Sequence, residues 1–149
     1  MKKCTALVAH DNCKSDLIDW ASYNWHTLAK HKIVCTGTTG KLVEKALLEK
    51  SDQSVDPYRL KSGPLGGDPQ LGAMISKGQV DILIFVWDAI SVHSHGVDVK
   101  ALLRIAVLYN VPTACNRATS DFVISSALPE KSYTPRPARM DLYHSSSSA

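Results

Sequence analysis

The run from Val80 to Trp87 (VDILIFVW) is the most apolar segment of the chain and limits most strongly what the chain can fold into. Its length fits a strand that is buried on both faces, as strands are in the middle of a parallel sheet. A membrane-spanning helix needs about 20 apolar residues, so this run is far too short to be one. The sequence therefore predicts a domain built around this strand, with no membrane partner.

Segments with a strand pattern alternate with amphipathic segments along the chain. Between residues 14 and 31, for example, Leu17, Ala21 and Leu28 recur at helical spacing. The repeated alternation predicts an α/β fold: a single three-layer domain with a five-stranded, mainly parallel, twisted sheet and helices on both faces. The predicted strands are Thr5–His10, Lys32–Thr36, Tyr58–Lys61, Val80–Trp87 and Val111–Cys115. The predicted helices are Lys14–His31, Lys41–Lys50, Pro69–Lys77, Asp98–Tyr109 and Thr119–Ser126.

The alternation stops near residue 128, where the composition changes. Pro129, Pro135 and Pro137 follow within a few residues, and a run of serines comes at the end of the sequence. A length of 149 residues suits one domain. We therefore interpret residues 1–128 as the α/β domain. Residues 129–149 are interpreted as a Pro- and Ser-rich tail without a fold of its own, free to pack along the surface or against a neighbouring subunit.

Charge and cysteine usage exclude several classes of protein. The net charge of +3 is small and its basic residues are spread along the chain, so we expect no nucleic-acid partner. Lys2 and Lys3 precede too short an apolar stretch for a secretory signal, which favours a cytoplasmic protein. The four cysteines form no CxxC pair and are expected to be structural thiols. The spacing of His93 and His95 matches no common metal site, so no metal is expected.

Polar residues and glycines follow the end of every predicted strand. Ligands of open parallel sheets bind beyond the carboxyl ends of the strands, so these segments are expected to meet at one edge. The segments are His10-Asp11-Asn12, Thr36–Gly40, Ser62–Asp68, Trp87–Asp98 and Asn116.

The segment TGTTG (36–40) has the composition of a phosphate cradle. Gly37 and Gly40 let the backbone turn tightly, the hydroxyls of Thr38 and Thr39 donate hydrogen bonds, and the following helix start attracts anions. The alternative is a simple helix cap made by Thr38 or Thr39. The spacing is neither that of a P-loop nor that of a dinucleotide-binding motif.

The segment SGPLGGD (62–68) ends in an aspartate at a predicted helix start. Ser62 and the N–H of Gly63 are placed to contact a phosphate, and Gly66 permits close approach of a ligand to the backbone. Asp68 is interpreted either as an N-cap or as a general base, since a carboxylate at a helix start is held ionised by the helix dipole.

Further acids and a histidine stand at the same edge: Asp11, Asp88, Asp98 and His95, with His10 beside them. Asp98 also has the position of an N-cap. Carboxylates and histidines next to a phosphate cradle indicate proton transfer on a phosphorylated substrate.

These segments, taken together, resemble the methylglyoxal synthase family. The matching segments are ALVAHDNCK (6–14), CTGTTG (35–40), SGPLGGDPQLGA (62–73), VDILIFVWD (80–88), VDVKALLRIA (97–106) and VPTACN (111–116). They follow the family's order and spacing over roughly residues 5–126. The sequence departs from the family pattern at Pro69, where Gln is usual, and in segment 88–98, which has fewer prolines and an added Gly96. That composition predicts a looser loop.

The resemblance implies a methylglyoxal synthase-like fold and an enzyme that converts dihydroxyacetone phosphate to methylglyoxal and inorganic phosphate. It implies no metal or organic cofactor, a cytoplasmic homohexamer, and inhibition by phosphate. Asp68 matches the base that removes a C3 proton, His95 the histidine that polarises the carbonyl, and Asp98 its neighbouring carboxylate. Asp11 and Asp88 match the remaining active-site aspartates. The predicted substrate- and phosphate-binding residues are His10, Lys14, Thr36, Gly37, Thr38, Thr39, Ser62, Gly63 and Gly66.

Two alternatives stay open at this point. One is a non-catalytic module that senses phosphate or a phosphorylated metabolite, although an anion sensor gains nothing from so many carboxylates. The other is an isomerase of a similar sugar phosphate, which shares the base and the electrophile but returns a phosphorylated product.

Overall fold

The computed structural model describes residues 2–50, 55–93 and 95–137, and its centre is a sheet of five strands. The strand order is β3-β2-β1-β4-β5, and every pair of neighbours is parallel, as predicted. The strands are β1 (Cys4–Ala9), β2 (Lys32–Thr36), β3 (Tyr58–Leu60), β4 (Ile82–Val86) and β5 (Thr113–Ala114).

Six helices connect or follow the strands in the described residues. They are α1 (Lys14–Tyr23), α2 (Trp25–Leu28), α3 (Thr39–Lys50), α4 (Gly67–Ser76), α5 (Gly96–Leu108) and α6 (Arg117–Ser125), with short 3-10 turns at Asp11–Cys13, Gly63–Leu65 and Leu128–Glu130. None of these helices has the length and apolar character needed to cross a membrane.

The predicted helix over 14–31 is wrong in its extent, because Asn24 interrupts it. The backbone of Asn24 leaves the helical region, and its side-chain Nδ2 donates to the carbonyl of Trp20 at 2.9 Å. Asparagine favours such local bonds over the helical ladder. The chain therefore continues as the separate, one-turn α2.

Two apolar cores cover the two faces of the sheet, as the three-layer prediction requires. Alternate strand residues point to opposite faces, so Leu7 packs into one core and Val8 into the other. Leu17 and Trp20 of α1 and Val43 of α3 complete the first core. The second core takes its helical residues from α4 and α5: Leu71, Ile75, Val99 and Leu102.

The order of the strands creates a switch point between β1 and β4. The chain proceeds outward from β1 through β2 to β3, and then returns to place β4 on the other side of β1. The backbone N–H of His10 donates to the carbonyl of Val86 at 3.3 Å, which ties the carboxyl ends of these two strands together. A crevice at such a point is where ligands of open α/β sheets bind.

Part of the predicted C-terminal tail lies along the domain. Pro129 is buried, Lys3 Nζ donates to the carbonyl of Tyr133 at 2.9 Å, and Asn110 Nδ2 donates to that of Arg136 at 2.8 Å. Residues 138–149, which include the serine run, lie outside the described residues.

Candidate active site

A cavity of about 260 Å³ lies beyond the carboxyl ends of β1, β2 and β4. It brings together residues that stand far apart in the sequence but were predicted to meet at this edge. The predicted site residues that line it are His10, Asp11, Lys14, Thr36, Gly37, Thr39, Ser62, Gly63, Asp68 and His95.

One side of the cavity is formed by the TGTTG segment and the start of α1. Lys14 Nζ donates to Asp11 Oδ1 at 2.7 Å and to Thr38 Oγ1 at 2.8 Å, so the lysine bridges the two segments. The same bond to Lys14 holds the pKa of Asp11 below its usual range. Thr39 Oγ1 is buried and has no hydrogen-bond partner among the described residues, which leaves a hydroxyl available to a ligand.

Gly37 and Ser62 bring the two glycine-containing loops into contact. Gly37 has a φ of +56°, a left-handed conformation that favours glycine. A Cβ on Gly37 would lie 3.1 Å from both Cα and Cβ of Ser62. The absence of a side chain here lets the Thr36–Gly40 segment approach the 62–68 segment closely.

Asp68 is the most deeply placed acid of the cavity. It lies in the first turn of α4 and its residue surface is only 2% exposed. Its Oδ2 has no hydrogen-bond partner in the described part of the chain and lies 3.7 Å from His95 Nε2. Burial raises the pKa of Asp68, the nearby His95 lowers it, and Asp98 raises it further. A carboxylate of this kind is poised to accept a proton.

Two glycines make room for this arrangement. A Cβ on Gly67 would lie 1.9 Å from the carbonyl oxygen of Lys61, so only glycine fits next to Asp68. A Cβ on Gly63 would lie 2.8 Å from His95 Nε2 and 3.4 Å from Asp68 Oδ2. Gly63 therefore leaves the space in which the carboxylate and the imidazole face each other.

His10 is a neutral donor aimed at the cavity. Its Nδ1 accepts the backbone N–H of Asp88 at 2.9 Å, so the proton of the neutral ring is on Nε2. Burial, helped by His93 and His95, lowers the pKa of His10 to about 4. His10 Nε2 is buried without a partner among the described residues, which leaves its N–H for a ligand.

Asp88 organises the loop that follows β4. Its Oδ1 accepts the backbone N–H groups of Ile90 at 3.0 Å and Ser91 at 3.2 Å, and its Oδ2 accepts Asn12 Nδ2 at 3.0 Å. These donors, the Asn12 amide first among them, hold the pKa of Asp88 far below its usual range. The carboxylate is fully engaged in holding the loop that carries His93 and His95.

Four predicted site residues are not among the described residues that line the cavity: Thr38, Gly66, Asp88 and Asp98. Thr38 contacts Lys14. Gly66, with φ of +104°, is the residue before α4. Asp98 lies in the first turn of α5, near enough to raise the pKa of Asp68.

The N-cap interpretations of Asp68 and Asp98 are wrong. Both helices begin earlier than predicted, and their N-cap residues are Gly66 and His95. Both carboxylates therefore lie inside the first helical turn, where they still benefit from the helix dipole.

Asn12 and His93 also belong to the site, although neither was predicted to. Asn12 lines the cavity and bonds to Asp88, while the ring of His93 stacks on that of His10 with centroids 3.8 Å apart. Both follow the carboxyl end of a central strand, and that position was the available signal.

The fold and the site define a class of protein: an α/β domain with a buried carboxylate and imidazoles at the switch point of a parallel sheet. The family model described as "MGS-like domain" matches residues 16–115. The chain belongs to the methylglyoxal synthase family, whose members are lyases.

Individual relatives support this membership. The chain is 56% identical over 131 residues to the methylglyoxal synthase of Maridesulfovibrio salexigens, an alignment that covers 83% of each chain. It is 51% identical over 131 residues to that of Leptospira interrogans, covering 88% of this chain and 84% of the relative. The crystal structure of methylglyoxal synthase from Elizabethkingia anophelis superposes with a TM-score of 0.84 at 45% identity, covering 96% of this chain and 90% of that one.

Proposed function

We propose that this protein is a methylglyoxal synthase, which converts dihydroxyacetone phosphate to methylglyoxal and inorganic phosphate. The family membership supports the reaction. The observation that carries the assignment to this cavity is a set of buried polar atoms without partners among the described residues. They belong to residues that line the cavity: His10 Nε2, Thr39 Oγ1, Asp68 Oδ2, His93 Nε2 and His95 Nδ1. Buried polar atoms are rarely left unpaired, so this set indicates a polar ligand.

Asp68 acts as the base in the first step. Its unpaired Oδ2 takes a proton from the carbon that bears the free hydroxyl group, and the electron pair moves toward the carbonyl to give an enediolate. The oxyanion then needs hydrogen-bond donors. His95, 3.7 Å from Asp68 through its Nε2, and the Nε2–H of His10 supply them.

The second step releases phosphate. The hydroxyl group on the deprotonated carbon becomes the aldehyde carbonyl, the double bond of the enediolate shifts toward the phosphate-bearing carbon, and the bond between that carbon and the phosphate oxygen breaks. The hydroxyl proton leaves with the phosphate as hydrogenphosphate, and a three-carbon enolate remains. Asp68 returns its proton to the methylene carbon of this enolate, which becomes methylglyoxal. One substrate dianion gives one methylglyoxal and one hydrogenphosphate, so no water, metal or redox partner is consumed.

The phosphate group is held by the two loops that Gly37 brings together. Thr36, Thr38, Thr39, Ser62 and the backbone N–H of Gly63 supply donors, and Lys14 supplies a positive charge. The N–H groups of Gly37 and Gly66 already donate to backbone carbonyls, so these glycines serve the shape of the loops. Asp11 holds Lys14 in place through their 2.7 Å ion pair. Asp88 is a positioning residue, because it holds the loop that carries His93 and His95. Asp98 raises the pKa of Asp68.

The assembly, location and inhibition of the enzyme follow the same family reasoning. The family resemblance implies a homohexamer, and Leu65, Ile90, Val92 and Val97 are exposed apolar residues that contact with a neighbouring subunit would bury. Light scattering after gel filtration would test this. We expect a cytoplasmic protein, and we expect inorganic phosphate, as a product that fits the same loops, to inhibit the reaction.

Product analysis tests the reaction directly. The purified protein is mixed with dihydroxyacetone phosphate, and methylglyoxal and free phosphate are followed together. Equal amounts of the two products are expected. A phosphorylated aldehyde without free phosphate would indicate an isomerase instead, and phosphate binding without turnover would indicate a sensor.

A further inference from the structure

The short strand β3 contacts the Thr36–Gly40 segment that forms one side of the cavity. β3 pairs with β2 in a register that places Leu60 opposite Thr36. Just beyond this pair, the backbone N–H of Gly37 donates to the carbonyl oxygens of Leu60 at 3.3 Å and of Lys61 at 3.2 Å. The first half of the segment is therefore fixed to β3 by main-chain hydrogen bonds.

Arg59, the middle residue of β3, fixes the other end of the segment. Its Nη2 donates to Glu44 Oε2 of α3 at 2.5 Å. The stem of the same side chain lies over Gly40, since a Cβ on Gly40 would be 2.8 Å from Arg59 Cγ and 3.2 Å from its Cδ. Gly40 and Glu44 are four residues apart and so lie on one face of α3. A single side chain of β3 therefore spans the first turn of α3.

This contact explains the glycine at position 40 better than a tight turn does. The φ of Gly40 lies outside the left-handed region, unlike that of Gly37. Gly40 is buried, whereas the side chain of Arg59 keeps 39% of its surface exposed. An arginine commonly packs its hydrocarbon stem on buried surface in this way while its charged head stays in water. The missing side chain of Gly40 leaves the space that the Arg59 stem fills.

The turn that Arg59 holds carries a hydroxyl of the proposed phosphate site. Thr39 is the first residue of α3 and directly precedes Gly40. Its Oγ1 is buried and has no hydrogen-bond partner among the described residues. A hydrogen bond weakens steeply when its length or angle departs from the preferred values, so a small shift of this turn would weaken a bond from Thr39 to a ligand.

We propose that Arg59 is a positioning residue for phosphate binding: it holds the first turn of α3 against β3, and this keeps Thr39 Oγ1 in place for the phosphate group. The inference rests on the proposed phosphate site. Asp68 lies on α4 and His95 directly precedes α5, so the proton transfer itself is not expected to depend on Arg59.

Calorimetric titration with sulfate, a tetrahedral dianion like the phosphate product, tests the proposal together with steady-state kinetics. Arg59→Ala is expected to raise the Kd for sulfate and the KM for dihydroxyacetone phosphate about 3- to 10-fold, with kcat within about twofold of the wild type. Arg59→Lys keeps a charge and most of the stem and is expected to lose less affinity. Lys30→Ala removes an ion pair with Glu130, 3.7 Å long and just before β2, and as the control it is expected to match the wild type.

A second variant separates the ion pair from the stem. Glu44→Gln leaves the Arg59 stem on Gly40 and is expected to raise the Kd for sulfate about twofold, as suits a partly exposed ion pair. Circular dichroism verifies folding, and if Arg59→Ala does not fold, an unchanged Kd in Glu44→Gln overturns the inference in its place.

An unchanged Kd for sulfate in a folded Arg59→Ala variant would overturn the inference alone. So would a loss confined to kcat, because Arg59 would then act on the reaction and not on phosphate binding. A wild type that binds no sulfate would overturn the proposed phosphate site as well.

Discussion

Asp68 is buried, and its Oδ2 has no hydrogen-bond partner within the described ranges, so its ionised form destabilises the folded protein. Burial raises the pKa of the folded-state carboxyl above its unfolded value, so the ionised form is less favourable in the folded protein. The contribution of Asp68 to stability is therefore fullest below the unfolded pKa of about 3.9, and it is lost as the pH rises through the folded value. At neutral pH the residue that serves as the base weakens the fold.

The substitution Asp68→Asn is accordingly expected to stabilise the protein at neutral pH. The amide keeps the shape and removes the buried charge, so the melting temperature at pH 7 should rise by a few degrees. The rise should shrink as the pH falls toward the unfolded pKa of about 3.9, where the folded-state carboxyl is protonated and about half of the unfolded-state carboxyls are protonated too. Thermal melts between pH 4 and 7 measure this, with Asp19→Asn at an exposed position of α1 as control. A variant that is less stable than the wild type at pH 7 would contradict the account.

Gly63 is the second residue on which the site depends. In Gly63→Ala the new Cβ would stand 2.8 Å from His95 Nε2, so the imidazole must move away from Asp68. A displacement of about 1 Å at a reacting centre costs roughly a hundredfold, so kcat is expected to fall about 10- to 100-fold. Gly72→Ala is the matched control, because a Cβ there meets nothing within 4 Å, and steady-state kinetics should find its kcat unchanged. Full activity in Gly63→Ala would remove His95 from its proposed role.

The first residues of helices α3 to α6 could not be predicted from the sequence. The helices α3, α4, α5 and α6 each begin two residues before the predicted start, for example at Thr39 instead of Lys41 and at Gly67 instead of Pro69. The apolar periodicity located each helix, but it says nothing about the first turn, which buries no apolar face. That first turn is where Thr39, Asp68 and Asp98 are placed.

The loop after β4 is the element that most depends on a single side chain. Asp88 Oδ1 accepts the N–H groups of Ile90 and Ser91, and this loop carries His93. Its sequence contains no proline, which predicted a looser loop, and nothing in its composition indicated that a carboxylate would hold it. That information lies in contacts between residues distant in sequence, such as the bond from Asn12 Nδ2 to Asp88.

Asp88→Ala is expected to lower kcat/KM about 10- to 100-fold, because the loop N–H groups lose their acceptor and the histidines lose their position. Asp88→Asn keeps an acceptor oxygen for those N–H groups and should lose less. Steady-state kinetics on the two variants, with circular dichroism to verify folding, measure the difference. Equal losses in both would indicate that the negative charge of Asp88, and not its loop bonds, supports the reaction.

In the molecule as a whole, the order of the strands in the sheet brings the site residues together. The parallel sheet and the meeting of its carboxyl edges were predictable from strand and helix alternation alone, and both predictions are confirmed. The position of β4 beside β1 was not predictable from alternation, because periodicity carries no information on which strands become neighbours. That adjacency stacks His93 on His10 and joins Asn12 to Asp88 across the switch point.

Asp68 is proposed to remove the proton whose loss starts phosphate elimination. The decisive experiment compares wild type and Asp68→Asn in the release of methylglyoxal and phosphate from dihydroxyacetone phosphate. We expect equal amounts of both products from the wild type and a rate lower by about 100- to 10,000-fold in the variant, with sulfate binding retained. A variant that still forms both products at the wild-type rate would contradict the claim and would assign the base to another group of the cavity.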